Sequence, residues 1–334
     1  MRVRSSAAVT LAAMVAMGTA SACEPLLPRV AITVNSFASG TDHAPGDGAC
    51  EVNPGVGDCT LEAAIDEANA VPRAAIAAPA GTYPGADLLV TGDVTLNWEQ
   101  PEAVVLGDTT ITVADGASLA AEGLQTRVPD DIADVGYVSH PVRITVAGSL
   151  QLRRSTIVAF DLDNPDAGPA LTVTPTGGAL IDTSVLVGFS SAVDNARAAV
   201  FQQSSLFALI GSTVSTSPGA QSVFRLTAVD TVPSSVRVQF SCSGPSTSLG
   251  YNGRDRLGCD FSDPTDLELV QGYGFDLVTS QVITGAGVAL VDAVPIGQAG
   301  CTETSTDLLG NLRGNDGNGD GISGCDIGAV EYQP

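Results

Sequence analysis

Lysine does not occur in this sequence. All 14 basic residues are Arg, set against 37 Asp and Glu, for a formal charge of −23. Binding to nucleic acid draws on clustered cations that neutralise phosphates, so nucleic acid is not an expected partner. An anionic polymer would be repelled by the field of the whole molecule unless cations bridged it. Aromatic residues are also scarce: the chain is 44% hydrophobic but only 4% aromatic, so its core must be built from small aliphatics in thin, repetitive layers. The only histidines are His43 and His140, both in loop-like surroundings, and no G-x-S-x-G elbow is present. Triad and histidine–metal chemistry are therefore not indicated. Beyond the first 22 residues no segment has the roughly 18 unbroken apolar residues that a spanning helix needs.

What is present begins with an export signal. Arg2 and Arg4 precede an apolar run from Ala7 to Met17, and small residues follow, ending at Ala22. Ala20-Ser21-Ala22-Cys23 resembles a bacterial lipobox, in which the cysteine is acylated and becomes residue one. Ala20 stands where such signals usually carry Leu, and cleavage by an ordinary signal peptidase would instead leave Cys23 as a free thiol. Removing two Arg leaves 12 basic against 37 acidic groups, a surface suited to an exported chain.

Seven cysteines is an odd number, and Cys23 accounts for the odd one. The other six fall into sequence-near pairs, Cys50 with Cys59, Cys242 with Cys259 and Cys301 with Cys325, although other connectivities are formally open.

Glu24 to Arg29 reads as a tether, Ile32-Thr33-Val34 as a first strand and Ser36 to Asp58 as a Gly-, Asp- and Pro-rich loop. An amphipathic helix follows. Thr60 is its expected N-cap, Glu62 lies in the first turn, and Leu61, Ala64, Ile65 and Ala68 form one narrow apolar stripe. From Ala74 to Gly300 short strands repeat loosely. The triplets Ser155-Thr156-Ile157, Thr183-Ser184-Val185 and Ser212-Thr213-Val214 follow one another at nearly equal steps. Upstream of them lie Ile144-Thr145-Val146, Leu171-Thr172-Val173 and Val200-Phe201-Gln202. Such a period, with several strands per unit, points to a parallel β-helix, with a β-sandwich as the alternative. A solenoid exposes strand edges and apolar interior at its ends. The helix is expected to cover the first coil, held at its N-terminus by Cys50–Cys59. Val128 to His140 breaks the strand pattern and reads as an inserted loop.

Few constellations carry chemistry. Asp130, Asp131 and Asp134 form the densest acidic cluster, with no pectinase-like pattern beside it. Arg153 and Arg154 are adjacent on an expected strand and so point to opposite faces. Asp316-Gly317-Asn318-Gly319-Asp320-Gly321 matches the first half of an EF-hand-like calcium loop, whose oxygens at Asp316, Asn318 and Asp320 would converge on one cation. The twelfth position is Ile327 rather than the bidentate Glu, so a solvated turn is the competing reading. Asp161, Asp163, Asn164 and Asp166 make a weaker cluster. Ser243 to Gly258 is Ser-, Gly-, Tyr- and Asn-rich, and Tyr251, Arg254 and Arg256 within it are the candidate ligand contacts.

Cys59-Thr60-Leu61-Glu62-Ala63-Ala64-Ile65, with Glu67-Ala68-Asn69 after it, resembles the CSLREA motif of exported bacterial β-helix proteins, and the GDGAC around Cys50 fits. Asp307 to Arg313 (DLLGNLR) and Cys325 to Tyr332 (CDIGAVEY) resemble the choice-of-anchor segment of surface proteins. The resemblance implies an extracellular right-handed parallel β-helix and no settled activity. Glu62-Ala63 replaces the Arg-Glu of the motif. The expected organisation is a signal peptide over 1–22, lipid-attachment cysteine, tether and first strand over 23–35, loop and capping helix over 36–73, β-helix over 74–300 and the choice-of-anchor-like segment over 301–334. The expected function is that of a noncatalytic surface lipoprotein, in the outer membrane or at the cell surface, acting in adhesion or as an envelope- or polysaccharide-binding module, with polysaccharide or another surface protein as its partner. A secreted carbohydrate-active enzyme, a lyase or glycoside hydrolase, is the alternative.

Overall fold

The computed structural model describes residues 29–98, 105–106, 108–126, 142–159, 168–188, 193–202, 205–208, 214–225, 228–231, 242–254, 261–268, 274–276, 281–283 and 289–333. Alternation of buried and outward residues is what turns these short segments into strands. Val142, Ile144 and Val146 point inward with Arg143 and Thr145 between them, and Leu150 and Leu152 repeat the pattern in the next strand. The result is an all-β chain with almost no helix, built on three long sheets of parallel strands.

The longest sheet has nine strands: Val30–Thr33, Ala74–Ala78, Asp93–Trp98, Ser118–Glu122, Ser149–Arg153, Gly178–Asp182, Ala198–Gln202, Gln221–Arg225 and Ser246–Ser248. A second, of seven, runs from Asp87–Val90 through Thr109–Val113, Val142–Val146, Leu171–Val173, Val193–Asn195 and Val214–Thr216 to Cys242–Ser243. A third, of six, runs from Thr156–Ala159 through Val185–Gly188, Ser205–Ala208, Ala228–Thr231 and Gly253–Arg254 to Leu267–Glu268. From Val142 onward the chain visits the second, long and third sheets in turn, so each circuit stacks on the one before, as in a β-helix-like solenoid. The core lies between the sheets as ladders of like residues. Leu88, Ile111, Ile144, Leu171, Val193 and Val214 stack in register down the second sheet, and all are buried.

Corners between the second and long sheets alternate in length. Thr91-Gly92, Ala147-Gly148, Ala196-Arg197 and Gly244-Pro245 are two residues long, while Ala114–Ala117, Thr174–Gly177 and Ser217–Ala220 are four. Each four-residue corner closes the same turn, its last N–H donating to the carbonyl of its first residue at 3.0 Å.

The repeat differs from the sequence reading. Thr156 pairs with Val185 and Val185 with Ser205, so the third coil arrives well before an even step would place it, and Val214 belongs to the second sheet, paired with Val193. The recurring Ser-Thr-Val triplet is thus not one register. Ile144 does pair with Leu171, but Val200-Phe201-Gln202 lies in the long sheet. Arg153 and Arg154 also depart from expectation. The strand ends at Arg153 and Arg154 takes a positive φ of 44°, so both side chains reach the surface, where Arg154 pairs with Glu122 and Arg153 lies 4.0 Å from Asp182.

The helix α1 spans Leu61–Asn69 and contacts the strands Val30–Thr33, Ala74–Ala78, Asp87–Val90 and Asp93–Trp98. Thr60 is its N-cap and accepts the N–H of Ala63 at 3.1 Å. Its buried surface is wider than one stripe, because Ala63 and Glu67 are buried as well. The loop before it explains this: Glu67 accepts N–H groups of Gly46 and Gly48, and Glu62 that of Gly40. Asn69 ties the far end to the first corner, accepting from Thr91 and Gly92 and donating to Leu89. The inserted-loop reading of Val128 to His140 lies outside the described residues, as does the tether at 24–28.

Candidate functional site

A cluster of buried polar residues, Asp307, Arg313, Asp326 and Glu331, lies near the C-terminus. Strand Val294–Pro295 pairs antiparallel with Gly324–Cys325, and Cys301–Cys325 is disulfide-bonded across it. Arg313, fully buried, donates from Nη2 to the carbonyls of Asp326 and Gly328, both at 2.7 Å, and from Nη1 toward that of Ala329 at 3.5 Å. Asp307 accepts from the N–H groups of Leu309, Asn311 and Glu331. DLLGNLR and CDIGAVEY therefore form one packing unit, joined through Arg313 in one direction and Asp307 in the other.

Three carboxylates gather beside the guanidinium. Ligand oxygens of Asp292, Asp326 and Glu331 lie within 4.8 Å of one another. Asp326 accepts the N–H groups of Asp292 at 2.8 Å and Tyr332 at 2.6 Å, and Glu331 Oε2 accepts that of Asp326 at 2.9 Å. Arg313 Nε stands 3.9 Å from Glu331 Oε2. Burial pushes the Glu331 carboxyl well above the usual range, and Asp326 beside it adds to the effect. Asp326 is raised as well, again chiefly by burial. Both carboxyls thus hold their protons more tightly than usual although Arg313 lies beside them.

The sequence-read residues are dispersed. Asp316, Asn318 and Asp320 occupy an exposed turn and spend their oxygens on its backbone: Asp316 accepts from Gly319, Asp320 and Gly321, Asn318 from Asp320, and Asp320 from Ile322. The turn is linked to the buried cluster through Asp292, which accepts the N–H groups of Gly317 and Asn318. Tyr251 has a positive φ of 54° and is half-buried, and its hydroxyl donates to Gln298, so it joins the β-stack to the C-terminal segment. Arg254 ends a strand paired with Val229 and Glu268.

Cys50–Cys59 is disulfide-bonded, and so is Cys242; Cys259, its expected partner, lies outside the described residues. The bridges fit an oxidising, extracellular environment. Also outside the described residues are the signal region, Cys23, Arg256, the acids at 130, 131, 134, 161, 163 and 166, Asn164 and His140. A cleft of about 230 Å³ beside Cys50–Cys59 is lined by Val30, Ile32, Asn35, Gly48 and Glu67.

Sequence reasoning missed the Asp292, Asp326 and Glu331 grouping because Asp292 is 34 residues from its partner Asp326. The available signal was an Arg and three acids, Asp307, Asp326 and Glu331, inside terminal segments rich in apolar residues, where charge is rarely buried unless paired. Comparison of the chain with protein-family models, with curated proteins and with solved structures finds no match.

Proposed function

We propose that this chain is a noncatalytic surface-binding module: an exported right-handed β-helix whose first coil is closed by α1 and whose Cys23 carries a lipid anchor. The CSLREA-like and choice-of-anchor-like segments belong to this reading, as does its place in the outer membrane or at the cell surface. The observation that supports it most is a row of side chains on the outer face of the long sheet. Asn97, Glu122, Arg153, Asp182, Gln202 and Arg225 follow one another in register from strand to strand. Parallel strands repeat every 4.7–4.9 Å, roughly, so the row offers hydrogen-bonding groups of both signs at regular intervals along the stack. That geometry suits an extended polar polymer, a polysaccharide above all, lying along the solenoid. The segment from Ser243 to Gly258, with Tyr251, Arg254 and Arg256, adds selectivity near its end.

The test is a panel of soluble polysaccharides incubated with the purified protein, scored for bound mass and for new reducing ends or unsaturated uronides. Binding without cleavage is expected, weakened by Arg153→Ala with Gln202→Ala. Cleavage would favour the carbohydrate-active enzyme instead, and neither binding nor cleavage across the panel would remove polysaccharide as the ligand class.

A further inference from the structure

The geometry points to a divalent cation, of the calcium type, held by the carboxylates of Asp292, Asp326 and Glu331. The inference is independent of the surface-binding reading, and it places the cation away from the Asp316 turn. Three observations carry it. First, two oxygens on opposite sides of a calcium ion bound at 2.3–2.6 Å stand about 4.6–5.2 Å apart, and the ligand oxygens of these three residues all lie within 4.8 Å of one another. Second, the Glu331 side chain is 1% exposed, yet its Oε1 has no hydrogen-bond partner. A carboxylate oxygen so placed is an acceptor with nothing to accept, which is costly in a buried site unless a cation meets it. Third, the guanidinium of Arg313 does not by itself balance three ionised carboxylates, and a divalent cation among them is what would let all three ionise together.

The donor set is oxygen alone. Cys325 beside it is bonded to Cys301, so no thiolate is on offer and a hard cation is selected over zinc or copper. The neighbouring Asp307 stands outside the grouping of oxygens that lie within 4.8 Å of one another; it serves the backbone, accepting the N–H groups of Leu309, Asn311 and Glu331. Because Asp292 also accepts the N–H groups of Gly317 and Asn318, an ion at this seat braces the Asp316 turn from beneath.

The experiment is a calcium titration of the chelated, purified protein, followed by calorimetry and thermal melting, with terbium luminescence sensitised by Tyr332 as a local probe. Calcium is expected to raise the melting temperature in a concentration-dependent way and to slow amide exchange over 289–333. Glu331→Gln should weaken calcium more than tenfold while the chelated variant melts no lower than chelated wild type, because the amide keeps the shape of a side chain whose ionised form burial already disfavours. Should that variant fail to fold, Asp292→Asn, on the half-buried member of the set, reads the same way. Asp316→Asn with Asp320→Asn should leave the affinity within about threefold, the spread expected of an indirect contact. A wild-type protein indifferent to calcium, undiminished affinity in Glu331→Gln, or loss of binding in the Asp316 and Asp320 variant alone would each overturn the assignment.

Discussion

Asp66 shows how one carboxylate on α1 ties stability to pH. Burial pushes its pKa up, and the charges of Asp42 and Glu62 add to the rise, while the N–H of Asp42, donated at 3.2 Å, opposes it. A folded pKa above the unfolded one means that the native state holds the proton more tightly. Its contribution to stability is complete below the ordinary carboxylate value and is lost as pH rises through the folded pKa. At neutral pH Asp66 is therefore a small liability, and Asp66→Asn should raise the melting temperature there, by a free energy below about 1 kcal/mol for so exposed a group. The amide oxygen keeps the bond from Asp42 N–H. Melts of both proteins from pH 7 down to below the ordinary carboxylate range check this: the gap should close with acid, and a gap that widens would contradict it. At this scale the sequence was partly legible. Thr60 could be read as an N-cap because its partner, Ala63, is three residues away. Asp66 could not, because the group it answers to, Asp42, lies 24 residues back across a loop.

Between elements, the corners decide the pitch of the stack. Gly148 and Gly177 occupy equivalent places, each just before a long-sheet strand, since Ser149 pairs with Gly178. A Cβ on Gly148 would stand 2.2 Å from the carbonyl oxygen of Ala117, and one on Gly177 would stand 2.1 Å from that of Val146. The coil beneath touches the backbone at these points, so only glycine fits. Gly178, one residue on, has open space where its Cβ would be. Two neighbouring glycines should then answer the same substitution with opposite signs. Gly177→Ala is expected to cost ~1–3 kcal/mol by forcing the coils apart, whereas Gly178→Ala should stabilise by about 0.4–1 kcal/mol through the unfolded chain. Denaturant melts of the two variants settle the matter, and equal effects would mean that coil contact is not what Gly177 serves. Strand identity was legible in this region from alternation alone, as in Val142-Arg143-Ile144-Thr145-Val146. The period was not, because the coils vary: the chain from Ala179 to its partner Ala199 is much shorter than that from Ser118 to its partner Ser149. The difference lies in how many residues separate one second-sheet strand from the coil before it, so an even step follows one coil and loses the next.

Across the whole molecule, a stack of parallel strands has two ends, and an uncovered end is a template for another copy. Among the described residues Val30–Thr33 is the last strand beyond Ala74–Ala78 in the same sheet, and α1 contacts both strands. The composition made a repetitive aliphatic solenoid legible, since few aromatics and many Val, Leu, Ile and Ala leave little else to build a core from. The unit near the C-terminus was legible only through the resemblance of its two segments, because its cohesion comes from Arg313 and Asp307 reaching across to Asp326, Gly328 and Glu331 rather than from any period. The capping proposed for α1 can be tested without shortening the chain. Ile65 is 2% exposed and sits in one core cluster with Ile32, Ile76, Leu88 and Leu96. Ile65→Asp places an unpaired charge against that aliphatic surface, and a buried charge without a partner is costly enough to lift the helix off instead. Thr60, Asn69 and the Cys50–Cys59 bridge still tether the lifted segment, so the long stack beyond Asp93 should keep its fold. The variant should lose amide protection over α1 and Ala74–Ala78, and on size-exclusion chromatography with light scattering it should show concentration-dependent dimers joined through the uncovered end. A variant that loses protection there yet stays monomeric at high concentration would mean that Val30–Thr33 and its loop suffice to guard the edge, and that α1 serves packing alone.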